Sequence, residues 1–259
     1  MKMAALHHPA PEPQQYSGKA FAGQMAVVTG ASSGIGHAIA LALAAQGADL
    51  CLVGRKPRAL EQVAQGAEAL GSQAFVHRVD LSAVEEIEKF AARVAWRFGR
   101  VDILIHSAGV ISLGPMTVAS IESLDWQFGT NVRAPYVLTK ALLPALRLSQ
   151  GQIAFINSSA GVAANANAGQ YAATKHALRA IADSLRQEIN AEGIRVLSVF
   201  VGRTATPLQA AVHASEGRPY FPDRLIQPQD VAAAVINALS LPKTAEVTAV
   251  HMRPFSKLG

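Results

Sequence analysis

The sequence predicts a single α/β domain built on a doubly wound parallel sheet of about seven strands, with helices on both faces. Three observations predict it. Short β-branched or apolar runs alternate with segments of helical period. The runs are almost continuously apolar, as strands covered on both faces must be. Glycines close many of the helical segments, at the position where a left-handed residue ends a helix. Crossovers between parallel strands are right-handed, which leaves few other topologies.

In order, the run Met25–Thr29 leads into the helical segment Ile35–Gln46, closed by Gly47. Asp49–Val53 leads into Pro57–Leu70, closed by Gly71, and Gln73–Val79 into Ala83–Phe98, closed by Gly99. Val101–Ile105 is followed by the long segment Ile121–Leu148 and Gly151, and Gln152–Asn157 by Gly169–Ala191 and Gly193. Ile194–Val201 leads through Gly202–Gln227 into the helix Gln229–Leu239, and Glu246–Met252 is the last strand. Gly202–Gln227 breaks the rhythm: it holds Pro207, Pro219 and Pro222 around a short apolar patch, Leu208 to Val212. A connection this long after a strand end reads as a substrate loop, because ligands of doubly wound folds sit beyond the carboxyl ends of the strands.

Ahead of the domain at 23–259, residues 1–22 read as a disordered tail with Pro9, Pro11 and Pro13 and no sustained period. His7 and His8 are adjacent there and do not make a metal site.

Half of the 259 residues are hydrophobic and 16% are charged, which excludes general disorder. No apolar run reaches the roughly 18 residues needed to span a bilayer. Cys51 is the lone cysteine and cannot make an internal disulfide; with no signal peptide in evidence, a cytoplasmic protein is expected. The net charge is +5, but the 23 Lys and Arg are scattered with no run of four. That pattern predicts neither a nucleic-acid nor a membrane partner, and leaves room for an anionic small molecule.

Thr29-Gly30-Ala31-Ser32-Ser33-Gly34-Ile35-Gly36 joins the first strand to the first helix. Gly30 permits a tight turn, Gly34 lets main chain approach a pyrophosphate, and Gly36 lets helix pack on strand, as in Rossmann-type dinucleotide sites. The N–H groups of the helix start, Ile35 among them, then face phosphate at the positive end of the helix dipole. No P-loop lysine is present, which disfavours a nucleoside triphosphate. NAD sites commonly place a carboxylate at the end of the second strand, whereas this chain reads Val53-Gly54-Arg55-Lys56. Arg55 suits a 2′-phosphate, with Ser32 and Ser33 as hydroxyl donors, so NADP(H) is expected over NAD. Asp80 can accept from the adenine amino group or cap the helix near Ala83.

Tyr171 and Lys175 stand at i and i+4 on one helix face. An ammonium beside a phenol favours phenolate, so Lys175 is expected to lower the pKa of Tyr171. A tyrosine so tuned exchanges a proton with a carbonyl or alcohol oxygen. Ser158, 13 residues earlier at a strand end, can hold the same oxygen.

With these residues in place the chain resembles the short-chain dehydrogenase/reductases over about Gly23 to Pro254. The resemblance rests on the Thr29–Gly36 turn, the Asp80-Leu81 pair, the strand-end glycine Gly109, Asn131 in Thr130-Asn131-Val132, and Ser158, Tyr171 and Lys175. It implies Tyr171 as general acid/base, Ser158 steadying the substrate oxygen, and Lys175 bonding the nicotinamide ribose. Asn131, expected in mid-helix, would help hold a water that relays protons through Lys175. Three departures stand out. The family's Asn-Asn-Ala-Gly is His106-Ser107-Ala108-Gly109, its Pro-Gly after the sixth strand is Val201-Gly202, and an Asp-Gly-Gly ending is absent from the last strand. Ser107 can still hydrogen-bond, and His106 reads as a satisfied wall residue. Main chain at Gly202, with Thr204 or Thr206 as hydroxyl donor, should meet the nicotinamide carboxamide.

The resulting expectation is an NADP(H)-dependent oxidoreductase of a small to medium, largely apolar ketone and its secondary alcohol, most similar to the carbonyl reductases of the family. No metal is expected. Arg203 and Arg218 keep a 3-hydroxy acid or 3-oxoacyl thioester open. A catalytically silent NADP(H) sensor on the same fold is the alternative from another class. A homodimer or homotetramer is implied by the likeness of Ile121–Leu148 and Gly169–Ala191 to the family's dimer faces.

Overall fold

The computed structural model describes residues 19–255. Seven parallel strands form one sheet: β1 (Met25–Thr29), β2 (Asp49–Gly54), β3 (Ala74–Arg78), β4 (Ile103–His106), β5 (Gln152–Ser158), β6 (Arg195–Val201) and β7 (Ala249–Met252). Their spatial order is β3-β2-β1-β4-β5-β6-β7, so the chain winds outward from β1 in both directions. The order reverses between β1 and β4, and there the strand ends leave the crevice in which such sheets bind ligands.

Because strands alternate their side chains, each face carries its own core. Ala26 and Val28 of β1 face a layer made by α1 (Gly34–Ala45), α2 (Pro57–Ala69) and α8 (Pro228–Leu239). Met25 and Val27 face the opposite layer, made by α3 (Val84–Phe98), α5 (Ala134–Ser149) and α6 (Gly169–Ile189). Cys51 is buried in that second layer, where burial pushes its thiol up to about 12.

Four sequence expectations need correction or completion. Residues 1–18 of the expected tail lie outside the described residues, but Phe21 is 1% exposed in the α1-side core and its N–H donates to Gln46 O at 2.9 Å. The last strand starts at Ala249, not at Glu246, because the Glu246 carboxylate takes the N–H of Val196 in place of a main-chain partner (2.8 Å). The long helix expected over Ile121–Leu148 is two helices, α4 (Ile121–Phe128) and α5, joined by a π turn at Gly129–Arg133. In that turn Ala134 N–H reaches back to Gly129 O, one residue beyond the α-helical spacing, and Asn131 sits in it.

The Gly202–Gln227 stretch is not all loop. Thr206 caps α7 (Pro207–Ser215) by accepting the Gln209 N–H at 3.1 Å, and Pro207 occupies the first helical position, where no N–H is missed. Beyond the helix the chain turns away at Gly217, with φ of +64°, and Arg218 N–H returns to His213 O at 2.9 Å.

Candidate active site

The crevice is organised from Thr29, to which the motif reading gave no task. Its hydroxyl donates to Ile105 O (3.2 Å) and accepts from the N–H groups of Ser107 (3.1 Å) and Ala108 (3.2 Å). The ends of β1 and β4 are thereby locked together without the asparagine that His106-Ser107 lacks. The two strand ends lie so close that only glycine fits: a Cβ on Gly30 would stand 2.8 Å from Ala108 main chain, and one on Gly36 2.5 Å from Gly30 O. α1 opens beside this turn at Gly34. The Ser33 side chain makes no capping bond and no acidic residue occupies the first turn, so the first-turn N–H groups remain available to an anion.

A cleft of about 430 Å³ runs along the turn, lined by Gly30, Ser32–Gly36, Gly54–Lys56, Val79–Ser82, Ser107–Val110 and Thr206. Arg55 is exposed just beyond β2, with no carboxylate at that strand end. Leu81 is buried in the wall. Asp80 Oδ1 accepts from the main chain (2.9 Å) and hydroxyl (2.8 Å) of Ser82. These bonds, helped by Arg55 and Arg78, hold its carboxyl below the usual range. Asp80 therefore shapes the entry to α3 as well as lining the cleft. Trp126, absent from the sequence reading, joins the same wall.

A second cavity of about 730 Å³ adjoins the first, sharing Ile35, Ser107, Gly109, Val110, Thr206 and Leu208. Ser158, from the end of β5, and Tyr171 and Lys175, from the first turns of α6, line it together. Gly202, Thr204 and Thr206 close it from the β6 side. The Gly202 N–H bonds Met252 O at 2.8 Å, and a Cβ on it would stand 3.1 Å from Pro254 Cδ. The carboxyl-terminal segment thus steadies a turn that lacks proline. Thr204 is buried and donates to Gly202 O (3.1 Å).

The expected lowering of the Tyr171 pKa is corrected. Burial raises it, with a hydrogen bond to the Ser158 hydroxyl pulling the other way. Lys175 Nζ lies over the Tyr171 ring, 5.8 Å from its centre, and donates to Ile156 O at 3.3 Å. Burial pushes Lys175 itself down to about 8. Desolvation therefore outweighs the Ser158 hydrogen bond in setting the direction of the phenol's shift.

Asn131 lies behind the cavity wall, 1% exposed. Its Oδ1 accepts from Val110 N (2.9 Å) and its Nδ2 donates to Val110 O (2.9 Å) and Thr174 Oγ1 (3.1 Å). Thr174 in turn donates to Tyr171 O at 2.8 Å, so Asn131 fastens the loop after β4 to the turn that carries the phenol. Asn157 does similar work unannounced by any motif: it accepts the Ser158 N–H (2.7 Å) and donates to Lys175 O (3.1 Å). An asparagine in the buried end of an apolar strand was the available signal. His106 is a wall residue: it hydrogen-bonds Thr139 Oγ1 at 2.8 Å, stacks on Phe155, and is held neutral by burial at a pKa of about 3.

Of the two arginines that could meet a carboxylate, Arg203 is already committed. Its guanidinium grips Glu216 with two bonds of 2.8 and 2.7 Å, which depress the Glu216 pKa. No cluster of three metal-ligating side chains occurs among the described residues. The free N–H groups, the glycine cradle and Arg55 fit a dinucleotide with an anionic adenosine end.

Comparison with known proteins agrees with this construction. A profile described as short chain dehydrogenase matches residues 24–217. An uncharacterized oxidoreductase of Staphylococcus epidermidis is 34% identical over 232 residues, covering 89% of this chain and 97% of that protein. Among solved structures, an alcohol dehydrogenase from the archaeon Thermococcus sibiricus, complexed with 5-hydroxy-NADP, superposes with a TM-score of 0.83 at 29% identity. That match covers 91% of this chain and 98% of the other. A metagenomic short-chain oxidoreductase in complex with NADP gives 0.80 at 32% identity, over 92% of this chain and 100% of that one. Sheet order, glycine turn and profile coincide over most of the chain, and the protein belongs to the short-chain dehydrogenase family of oxidoreductases.

Proposed function

We propose that the protein is an NADP(H)-dependent carbonyl reductase that interconverts a small to medium ketone and its secondary alcohol. The observation that carries this reading is the meeting of Ser158, Tyr171 and Lys175 in one cavity that adjoins the glycine-turn cleft. When bound, the nicotinamide cofactor supplies or takes up the hydride at its C4 position. Tyr171, kept protonated by burial, gives its phenolic proton to the carbonyl oxygen during reduction and recovers it from the alcohol during oxidation. Ser158 holds the substrate oxygen against that proton. Lys175, at about 8, keeps its charge at neutral pH and stabilises the phenolate left behind. Asn131 secures the turn beneath and helps hold the water of the proton relay.

On the adenosine side, Arg55, Ser32 and Ser33 would take the 2′-phosphate and the first-turn N–H groups of α1 the pyrophosphate. Asp80 would accept from the adenine amino group, and Gly202, Thr204 and Thr206 would meet the carboxamide. NADP in the metagenomic relative supports the cofactor. Ile111, Leu113, Val201 and Val212 give the second cavity apolar walls that suit a ketone better than a sugar. The reading includes a cytoplasmic location; no helix among the described residues is long and apolar enough to cross a membrane. It also includes a homodimer or homotetramer joined through α4, α5 and α6.

The test is oxidation of NADPH and NADH by the purified protein against ketones, aldehydes, diketones and 3-oxoacyl thioesters. NADPH turnover with free ketones is expected. Preference for thioesters would replace the substrate class, and tight NADPH binding without turnover would replace the enzyme by a sensor.

A further inference from the structure

We infer that Arg218 is a specificity-determining residue that receives a carboxylate on the substrate, so that the preferred ketone is an oxo acid carrying its charge away from the reacting carbonyl. The inference deepens the reductase reading and rests on it for the reaction, not for the anion site.

The charged side chains lining the second cavity are Lys175, Arg203, Glu216 and Arg218, three cations against one carboxylate. Pairing decides which cation is in surplus. Both oxygens of Glu216 are taken by the fork of Arg203, and Arg218 acts on that carboxylate only through space, as the weaker partner. Lys175 stands at the chemical end, beside Tyr171 and Ile156 O. Arg218 remains. It has no carboxylate within ion-pair distance among the described residues.

Its main chain is nevertheless fixed. Gly217, at φ +64°, turns the chain off the end of α7, and Arg218 N–H closes that end on His213 O. His213 is itself buried, bonded to Gln209 O (2.9 Å) and edge-on to Tyr220. The Arg203–Glu216 pair pins the same helix end to the exit of β6. An exposed guanidinium on a fixed main chain, lining a cavity whose one carboxylate is already bound by Arg203, is what a carboxylate-binding wall requires.

The experiment compares 3-oxobutanoate, 4-oxopentanoate and 5-oxohexanoate with their methyl esters, which scans the distance between carbonyl and charge. At one length or more, the acid is expected to exceed its ester about tenfold or more in kcat/KM. In Arg218→Ala that ratio should fall to about one, with Arg218→Lys between. Arg224→Ala, outside both cavities, should leave the ratio alone. A ratio at or below one for every length, or a ratio unchanged in Arg218→Ala, overturns the inference. A second readout needs no chemistry: calorimetric titration with butanoate, pentanoate and hexanoate, with and without NADP. Binding that disappears in Arg218→Ala supports the anion site even if no ketone is reduced, in which case the reductase reading falls and this one stands. Turnover of neutral ketones with no Arg218-dependent binding of any acid gives the opposite result.

Discussion

Around the Gly30–Gly36 turn the wall is main chain held against main chain, with Thr29 as the clasp. Beside Tyr171 it is side chains that do the holding, against main chain and against one another, drawn from α6, α7 and the ends of β5 and β6. The first region is fixed by steric exclusion: a single Cβ would collide with backbone that cannot yield. The second is fixed by hydrogen bonds and burial, whose balance changes with pH and with substitution. Steric cradles serve a ligand that is always the same, and hydrogen-bonded walls can be re-cut for different substrates.

The largest effect that would sharpen this contrast is at the phenol. Tyr171→Phe should lower turnover about a thousandfold or more while NADPH binding, measured by fluorescence titration, survives. Loss of cofactor binding in that variant would mean the two regions are one. Gly36→Ala should do the reverse: its Cβ falls 2.5 Å from Gly30 O, so the turn must open. A stability loss of about 2–3 kcal/mol in thermal unfolding is expected, with NADPH affinity falling as well. Arg55→Ala should weaken NADPH about ten- to a hundredfold and NADH little, as expected for loss of a charge-assisted contact. Equal weakening of both would show that Arg55 does not read the 2′-phosphate. The smallest effect is with pH. Lys175 is charged below about 8 and stabilises the phenolate only then, so kcat for ketone reduction should decline as pH rises through that value. A profile flat to pH 10 would remove Lys175 from that task.

The same contrast explains which parts were legible beforehand. The turn, Asp80, Leu81 and the Ser158–Tyr171–Lys175 set stand in short sequence windows, where spacing alone puts them on a strand end or helix face. The residues that orient them do not. Asn157 and Thr174 act through partners 18 and 43 positions away. The helix α7 is hidden in the sequence by Pro207 and by Pro219 and Pro222 beyond it, which read as loop punctuation although Thr206-Pro207 is a helix start. The Arg203–Glu216 pair spans 13 residues of that same stretch, so Arg203 looked available when it is not. The direction of the Tyr171 shift depends on burial, to which an i, i+4 spacing is blind.

Burial of Lys175 also has a thermodynamic side. A lysine whose proton is held to about 8 in the native protein, against an ordinary 10.5, is protonated more readily in the unfolded chain between those two values. The unfolded state therefore binds more protons there, and the native state should gain stability as pH rises from about 8 toward 10.5. Below that window the charge costs the fold on the order of 3 kcal/mol. Lys175→Met, which keeps the length of the side chain and discards the charge, should therefore raise the melting temperature at neutral pH while silencing the enzyme. The conditions under which this protein is most active are then not those under which it is most durable.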